Sequence, residues 1–168
     1  MSDYNRTTRV CSVDQLRPEM LQAIQDYFQK NELGDLQAET LACCETVSTK
    51  KKTGKLAFWL TGNPDTTIHV DIVLTPEFLI WVHLGDKTGM RVNGASLKNI
   101  RTEYYMSLSK QEANLSIMGF ISDAKSGVRG TIALGPEPAA EKFCEQVKQA
   151  ILKVSPPAKK KIFGIPLE

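Results

Sequence analysis

The clearest pattern of apolar and polar positions lies between Thr66 and Leu84, near the middle of the chain. Apolar side chains occupy every second position from Ile68 to Leu74, and an apolar run rich in branched and aromatic residues follows from Phe78. Thr75-Pro76-Glu77 separates the two segments. Period-two spacing broken by a proline-containing turn is typical of two paired strands. The pattern therefore predicts a β-hairpin at the centre of the chain.

Similar but shorter patterns predict five further strands on either side of this hairpin. They lie at Leu41–Ser48, Leu56–Leu60, Leu97–Met106, Leu115–Ile121 and Val128–Leu134. Turn residues separate most of them, and residues 85–94 are predicted to be irregular because glycine and polar side chains dominate there. Seven strands joined mostly by short connections favour antiparallel pairing into a bent sheet or two packed sheets.

Two segments carry the spacing of an amphipathic helix instead. Residues 14–34 place Met20, Ile24 and Phe28 on one stripe, and Glu137–Val154 carries a longer stripe with charged residues on the opposite face. Residues 1–13 lack any periodicity and are predicted to be a flexible arm. Residues 155–168 form a basic and apolar tail after the prolines that end the last helix.

The composition places the chain among globular proteins. Its 168 residues include 42% hydrophobic and 24% charged side chains, which predicts one α+β domain spanning residues 1–168. The first residues lack the apolar core of a signal peptide, so we expect a cytoplasmic location. None of the four cysteines lies in a C-x-x-C pair, and Cys43 and Cys44 are expected on opposite faces of a strand.

Three segments resemble the pleckstrin-homology-like superfold, including its bacterial and GRAM-type members. They are the strand–turn–strand segment from Ile72 to Ile80, the approach to a strand at residues 95–100, and the final helix from Phe143 to Leu152. The resemblance implies a seven-stranded antiparallel core over residues 41–154 that is closed by the C-terminal helix. The N-terminal helix is an addition to this core. Proteins of this superfold bind lipid headgroups or peptides, or have structural roles.

A cluster of lysines occupies the turn after the first predicted strand. In lipid-binding relatives the matching loop binds phosphoinositide phosphates, which makes Lys50, Lys51, Lys52 and Lys55 a candidate lipid site. Clustered lysines attract an anionic surface by about 1 kcal/mol each. The Lys/Arg-x-Arg pattern expected on the next strand is absent, and the alternative interpretation is a solvated hairpin tip.

The tail combines the same basic character with apolar residues. Lys159, Lys160 and Lys161 precede Ile162 and Phe163, which is typical of segments that contact a membrane or a groove on a partner. Packing against the chain itself, or disorder, is the alternative for a short terminus.

The only two histidines, His69 and His83, lie in the central hairpin, with Asp71 beside them. If the turn is symmetric about Pro76, the imidazoles lie opposite each other and form a candidate metal site with Asp71. A one-residue change in register separates them.

Sequence patterns of known catalytic sites are absent, since there is no glycine-rich phosphate loop, G-x-S-x-G or H-E-x-x-H. No cofactor is predicted, and the confined lysines do not indicate nucleic-acid binding. We therefore predict a non-enzymatic binding or scaffolding module for a protein or peptide, because the N-terminal helix and the tail present apolar residues that the sandwich does not need. An anionic membrane surface and a metal or small-molecule site are the alternatives. The oligomeric state is left open.

Overall fold

The computed structural model describes residues 3–51, 64–107, 112–119, 128–155, 161–162 and 165–166. The strands of the two main sheets are β1 (Tyr4–Val10), β2 (Ala42–Lys50), β3 (Thr67–Leu74), β4 (Phe78–Gly85), β5 (Gly89–Ser96), β6 (Ile100–Met106), β7 (Ala113–Gly119) and β8 (Val128–Leu134). The helices are α1 (Pro18–Lys30), α2 (Leu36–Glu39) and α3 (Pro138–Val154), with short 3-10 turns at Val13–Gln15 and Leu97–Asn99. A two-stranded ladder joins β9 (Lys161–Ile162) to β10 (Ile165–Pro166).

The predicted α+β class is confirmed, and the strands form two sheets, one of the two expected arrangements, rather than a single seven-stranded sheet. One antiparallel sheet contains β1 to β5 in chain order, and a second contains β6 to β8. The chain leaves the first sheet at Leu97–Asn99, after which β6 pairs with β7 rather than with β5. The described residues thus form two separate main sheets and no closed barrel.

The segment predicted to be a flexible arm forms an edge strand. β1 pairs with β2 along its whole length, from Tyr4 opposite Lys50 to Val10 opposite Cys44. Thr8 is buried, and its hydroxyl lies 2.8 Å from that of Thr46 and accepts a hydrogen bond from the Gly135 amide at 2.7 Å. The prediction failed because the inward positions of this strand are polar, so its sequence carries no apolar alternation.

The region predicted to be irregular after the hairpin contains β5. It pairs with β4 from Phe78 opposite Ser96 to Gly85 opposite Gly89, and Gly89 adopts the positive φ of 73° that the turn requires. The Asp65 carboxylate accepts hydrogen bonds from the amides of Lys87 and Thr88 in this turn, at 2.5 and 3.0 Å. Burial opposes ionisation of Asp65, but the hydrogen bonds from Thr88 and Lys87 lower its pKa to about 2.

The N-terminal helix packs against its own chain. α1 begins at Pro18, and its stripe of Met20, Ile24 and Phe28 is almost fully buried, on the same face of the first sheet as Val73 and Ile80. On β5, Gly94 leaves room for the Tyr27 hydroxyl, which a Cβ atom there would meet. The expectation that this stripe has no use within the chain is therefore wrong.

The C-terminal helix is confirmed over almost its predicted length. α3 starts with Pro138 at its first turn, and Ala140, Phe143 and Val147 are completely buried in the core between the sheets. Its contacts reach β1, β2 and β6. Helix α3 therefore completes the core to which both sheets contribute.

The remaining strand predictions are confirmed where the structure describes them. The predicted third, fourth and seventh strands correspond to β3, β4 and β8, and the first strand is extended to Lys50. The fifth begins three residues later than predicted, at Ile100, and the sixth starts at Ala113. Residues 56–60, predicted as a strand, lie outside the described residues.

Candidate functional site

The prediction of a metal site in the central hairpin is wrong, because the strand register separates the two histidines. Val70 lies opposite His83, and His69 lies opposite Leu84. The Thr75 amide donates to the Phe78 carbonyl at 2.9 Å, which centres the turn between Pro76 and Glu77 rather than on Pro76. Since neighbouring residues of a strand point to opposite faces, His69 and His83 lie on opposite sides of the sheet. Among the described residues, no group of three or more potential ligands could hold a metal ion.

His69 and Asp71 lie on the face of the sheet that α1 covers. Asp71 is completely buried, and neither of its carboxylate oxygens has a hydrogen-bond partner among the described residues. Burial, helped by the nearby Glu45 carboxylate, raises the pKa of Asp71 to about 7, although Arg17 and Arg9 act in the opposite direction. Burial also lowers the pKa of His69.

His83 lies on the other face, in the wall of a cavity of about 280 Å³ between β8 and the first sheet. The cavity is at the end of the sheet where β2 finishes and β3 begins. All five strands of the first sheet contribute to it. The cavity is lined by Tyr4, Arg6, Ser48, Ile68, Val70, His83, Thr88, Gly89, Arg91, Thr131 and Ala133.

Two arginines line this cavity. Nη1 of Arg6 lies 3.2 Å from a Glu112 carboxylate oxygen, whereas Nε of Arg6 is buried and has no hydrogen-bond partner among the described residues. Arg91 on β5 is exposed and forms no salt bridge with any residue that the structure describes. Burial lowers the pKa of His83, and the neighbouring Arg91 charge lowers it further.

The rest of the lining is a mixture of apolar surface and hydroxyl groups. Ile68, Val70 and Ala133 supply the apolar part. The Tyr4 hydroxyl donates to the Asp65 carbonyl oxygen at 2.7 Å, and the Thr88 hydroxyl donates to the Asp65 carboxylate at 2.7 Å. A few directed polar groups around an apolar surface are the usual composition of a small-molecule site.

The basic turn begins beside this cavity. Lys50 lies opposite Tyr4 in the β1–β2 register, and the Lys51 amide donates to the Asp3 carbonyl at 2.7 Å. Lys52 and Lys55 lie outside the described residues. The lipid-binding role of the four lysines therefore stays a prediction.

The candidate tail contact also stays a prediction. Lys161 and Ile162 form one strand of the short C-terminal ladder, opposite Pro166 and Ile165. Lys159, Lys160 and Phe163 are outside the described residues.

Sequence reasoning missed most of the cavity residues. Tyr4 and Arg6 were assigned to a flexible arm, and Arg91 to an irregular segment. No local motif marks them, because the lining comes from six strands with one or two residues each. The only signal in the sequence was His83 itself, which the hairpin pattern indicates as a half-exposed polar position.

No known protein family, curated protein or solved structure matches this chain. Its class is therefore defined by its own architecture, an α+β chain with a five-stranded and a three-stranded antiparallel sheet and a C-terminal helix. The pleckstrin-homology-like resemblance stays a prediction. Within the described residues, no helix is both long and apolar enough to cross a membrane.

Proposed function

We propose that this chain is a non-enzymatic binding module for a small molecule with one anionic group and a short apolar part. The observation that supports this proposal is the cavity where Arg6 and Arg91 lie beside the apolar side chains of Ile68 and Val70. The volume of about 280 Å³ is slightly below the range of ligand pockets, which starts at about 300 Å³, so the ligand must be small. A carboxylate, phosphate or sulfonate on a chain of a few carbon atoms fits these features.

Arg91 suits an anion because it is exposed and forms no salt bridge with a described residue. Arg6 lines the same cavity, and its guanidinium group is paired with Glu112 through Nη1. Arg91 is positioned on the edge strand β5, at the rim of the cavity. A hydrogen bond between an arginine and an anion contributes about 1.5–3 kcal/mol, more than a neutral hydrogen bond.

The ligand comes from one of two sources, a free metabolite or a lipid headgroup. The position of Lys50 opposite Tyr4 puts the start of the basic turn next to the cavity, which favours anions in either form. Vesicles of phosphatidylcholine with graded phosphatidylserine distinguish the two sources. The source is a headgroup if the chain binds these vesicles and the Lys50/Lys51/Lys52/Lys55→Ala variant does not. The source is a free ligand if the chain binds only soluble anions.

The first test is titration of the full chain with hexanesulfonate, followed by the chemical shifts of backbone amides. We expect shifts confined to the cavity strands, and an Arg91→Ala variant that binds about tenfold more weakly, equivalent to about 1.4 kcal/mol. Arg101→Ala is the matched control, since Arg101 is an exposed arginine of β6 that does not line the cavity. Hexanol tests whether the charge is needed. The proposal would be contradicted if Arg91→Ala and Arg101→Ala lost the same affinity for hexanesulfonate. It would also be contradicted if hexanol bound as tightly as hexanesulfonate.

Binding of a permanent anion is also expected to depend on pH through His83. The pKa of His83 is lowered from its usual 6.5 by burial and by Arg91, so the imidazole gains its proton below pH 6.5. Protonation adds a positive charge to the cavity, and hexanesulfonate should therefore bind more tightly as the pH falls from 7.5 through and below 6.5. The measurement is the Kd across this range. The His83→Gln variant should show a flat profile, and a profile unchanged by this substitution would exclude His83 as the cause.

A protein or peptide partner stays a prediction. One of its two premises is removed, because the apolar stripe of α1 is buried against its own sheet. The other premise, the apolar tail, involves side chains outside the described part of the structure.

A further inference from the structure

Two cysteines from different elements meet at the end of the β1–β2 ladder. Val10 lies opposite Cys44, so the next residue, Cys11, follows opposite Cys43. The Cys11 amide donates to the Cys43 carbonyl at 3.1 Å, and the two Sγ atoms lie 3.6 Å apart. Both thiols are free in this structure.

This geometry is compatible with a disulfide bond without a rearrangement of the backbone. Directly opposite residues of an antiparallel pair have Cα atoms about 4.5–5.5 Å apart, and disulfides span about 4.4–6.8 Å. The sulfur atoms must approach from 3.6 Å to about 2.05 Å, which a rotation of the side chains achieves.

The thiol pair lies beside an open cavity. Cys11 and Cys43 both line this cavity of about 410 Å³, together with residues 12–14 and 40–42, although both side chains are buried, with Cys11 9% and Cys43 2% exposed. The cavity therefore leads a small disulfide to Cys11, the more exposed of the two cysteines. Cys44 differs, since it belongs to the core on the opposite face of β2 and is completely buried.

The two sulfur atoms share a hydrogen bond but differ in exposure. The hydrogen bond between them lowers the pKa of Cys11 and raises the pKa of Cys43. Burial and the Asp71 carboxyl group oppose the shift at Cys11, and Arg9 supports it. Cys11 is also the more exposed of the two cysteines, so it is the sulfur that reacts first, as a thiolate, and Cys43 is the one that resolves the product.

We propose that Cys11 and Cys43 form a reversible thiol–disulfide exchange site for low-molecular-weight disulfides such as oxidised glutathione. The Cys11 thiolate attacks one sulfur of the disulfide, a mixed disulfide forms, and one small thiolate leaves. Cys43 then loses its proton to the solvent and attacks Cys11 Sγ, which releases the second small thiol. In total, two cysteine thiols are oxidised and one small disulfide is reduced to two thiols.

The new bond would close a covalent loop from residue 11 to residue 43 that contains both α1 and α2. A disulfide that closes a loop restricts the unfolded chain, so the oxidised protein should unfold at a higher temperature than the reduced protein. The bond would also fix the end of β1, the strand that carries Tyr4 and Arg6.

The test is oxidation of the folded full chain with oxidised glutathione, followed by alkylation of free thiols and peptide mapping under non-reducing conditions. We expect the loss of two thiols, a linked peptide pair containing Cys11 and Cys43, and full reversal by dithiothreitol. The melting temperature of the oxidised form should rise.

Two variants assign the partner of Cys11, because one tryptic peptide contains both Cys43 and Cys44. The Cys44→Ala variant should still form the link, whereas Cys43→Ala should stop at a single glutathione on Cys11. Circular dichroism before and after oxidation shows that each sample is folded. Three results would each overturn the proposal. They are alkylation of both Cys11 and Cys43 after oxidation of the folded wild type, a link from Cys11 to Cys44, and a disulfide between two chains.

Discussion

Replacing Asp71 with asparagine is expected to make the protein more stable at pH 8, by up to about 4 kcal/mol. Asp71 is completely buried, its two oxygens have no hydrogen-bond partner among the described residues, and its pKa is raised from 3.8 to about 7. The folded state thus binds this proton more tightly than the unfolded state does. The contribution of Asp71 to stability is complete below about pH 4, declines as the pH rises to 7, and stays low above that.

Asparagine has nearly the same shape and keeps the burial of a polar group, so the substitution removes only the titration. The measurement is urea unfolding of both proteins between pH 4.5 and 8.5, with the difference in free energy of unfolding plotted against pH. Asp14→Asn, at an exposed position, is the control for the same change of residue type. A difference that is constant across this range, or one that favours the wild type at high pH, would contradict the argument.

Truncation of Phe28 to alanine is expected to destabilise the whole protein by about 3–5 kcal/mol. Phe28 is 2% exposed and belongs to the same apolar cluster as Val73, Ile80 and Val82 of the first sheet. Its removal leaves a cavity between α1 and the sheet that neither element can close, since the sheet is also held by the core on its other face.

The measurement is urea unfolding, monitored by the circular dichroism signal of the strands. Gln29→Ala is the matched control, because Gln29 is the next residue of α1 and is exposed, and it should change the stability by less than about 0.5 kcal/mol. If Phe28→Ala leaves the unfolding of the strands unchanged, α1 is not part of the cooperative unit. Its apolar stripe would then again be a candidate surface for a partner.

The amino-acid sequence determined the elements whose residues on one face are all apolar. The β3–β4 hairpin and α3 were predicted because Val70, Ile72, Phe143 and Val147 repeat with the period of their element, and these residues are all buried. The positions of Cys43 and Cys44 on opposite faces followed from the same alternation, and they lie in different apolar clusters.

Strands whose inward faces are polar could be recognised only in the tertiary structure. The same is true of the groups of residues that these strands bring together. β1 escaped prediction because its inward positions are Tyr4, Arg6 and Thr8, whose burial depends on partners far along the chain. The hairpin register, which separates His69 from His83, depends on a single residue of turn geometry. Pairing of distant strands thus produced the cavity, the thiol pair and the burial of Asp71, none of which has a local pattern in the sequence.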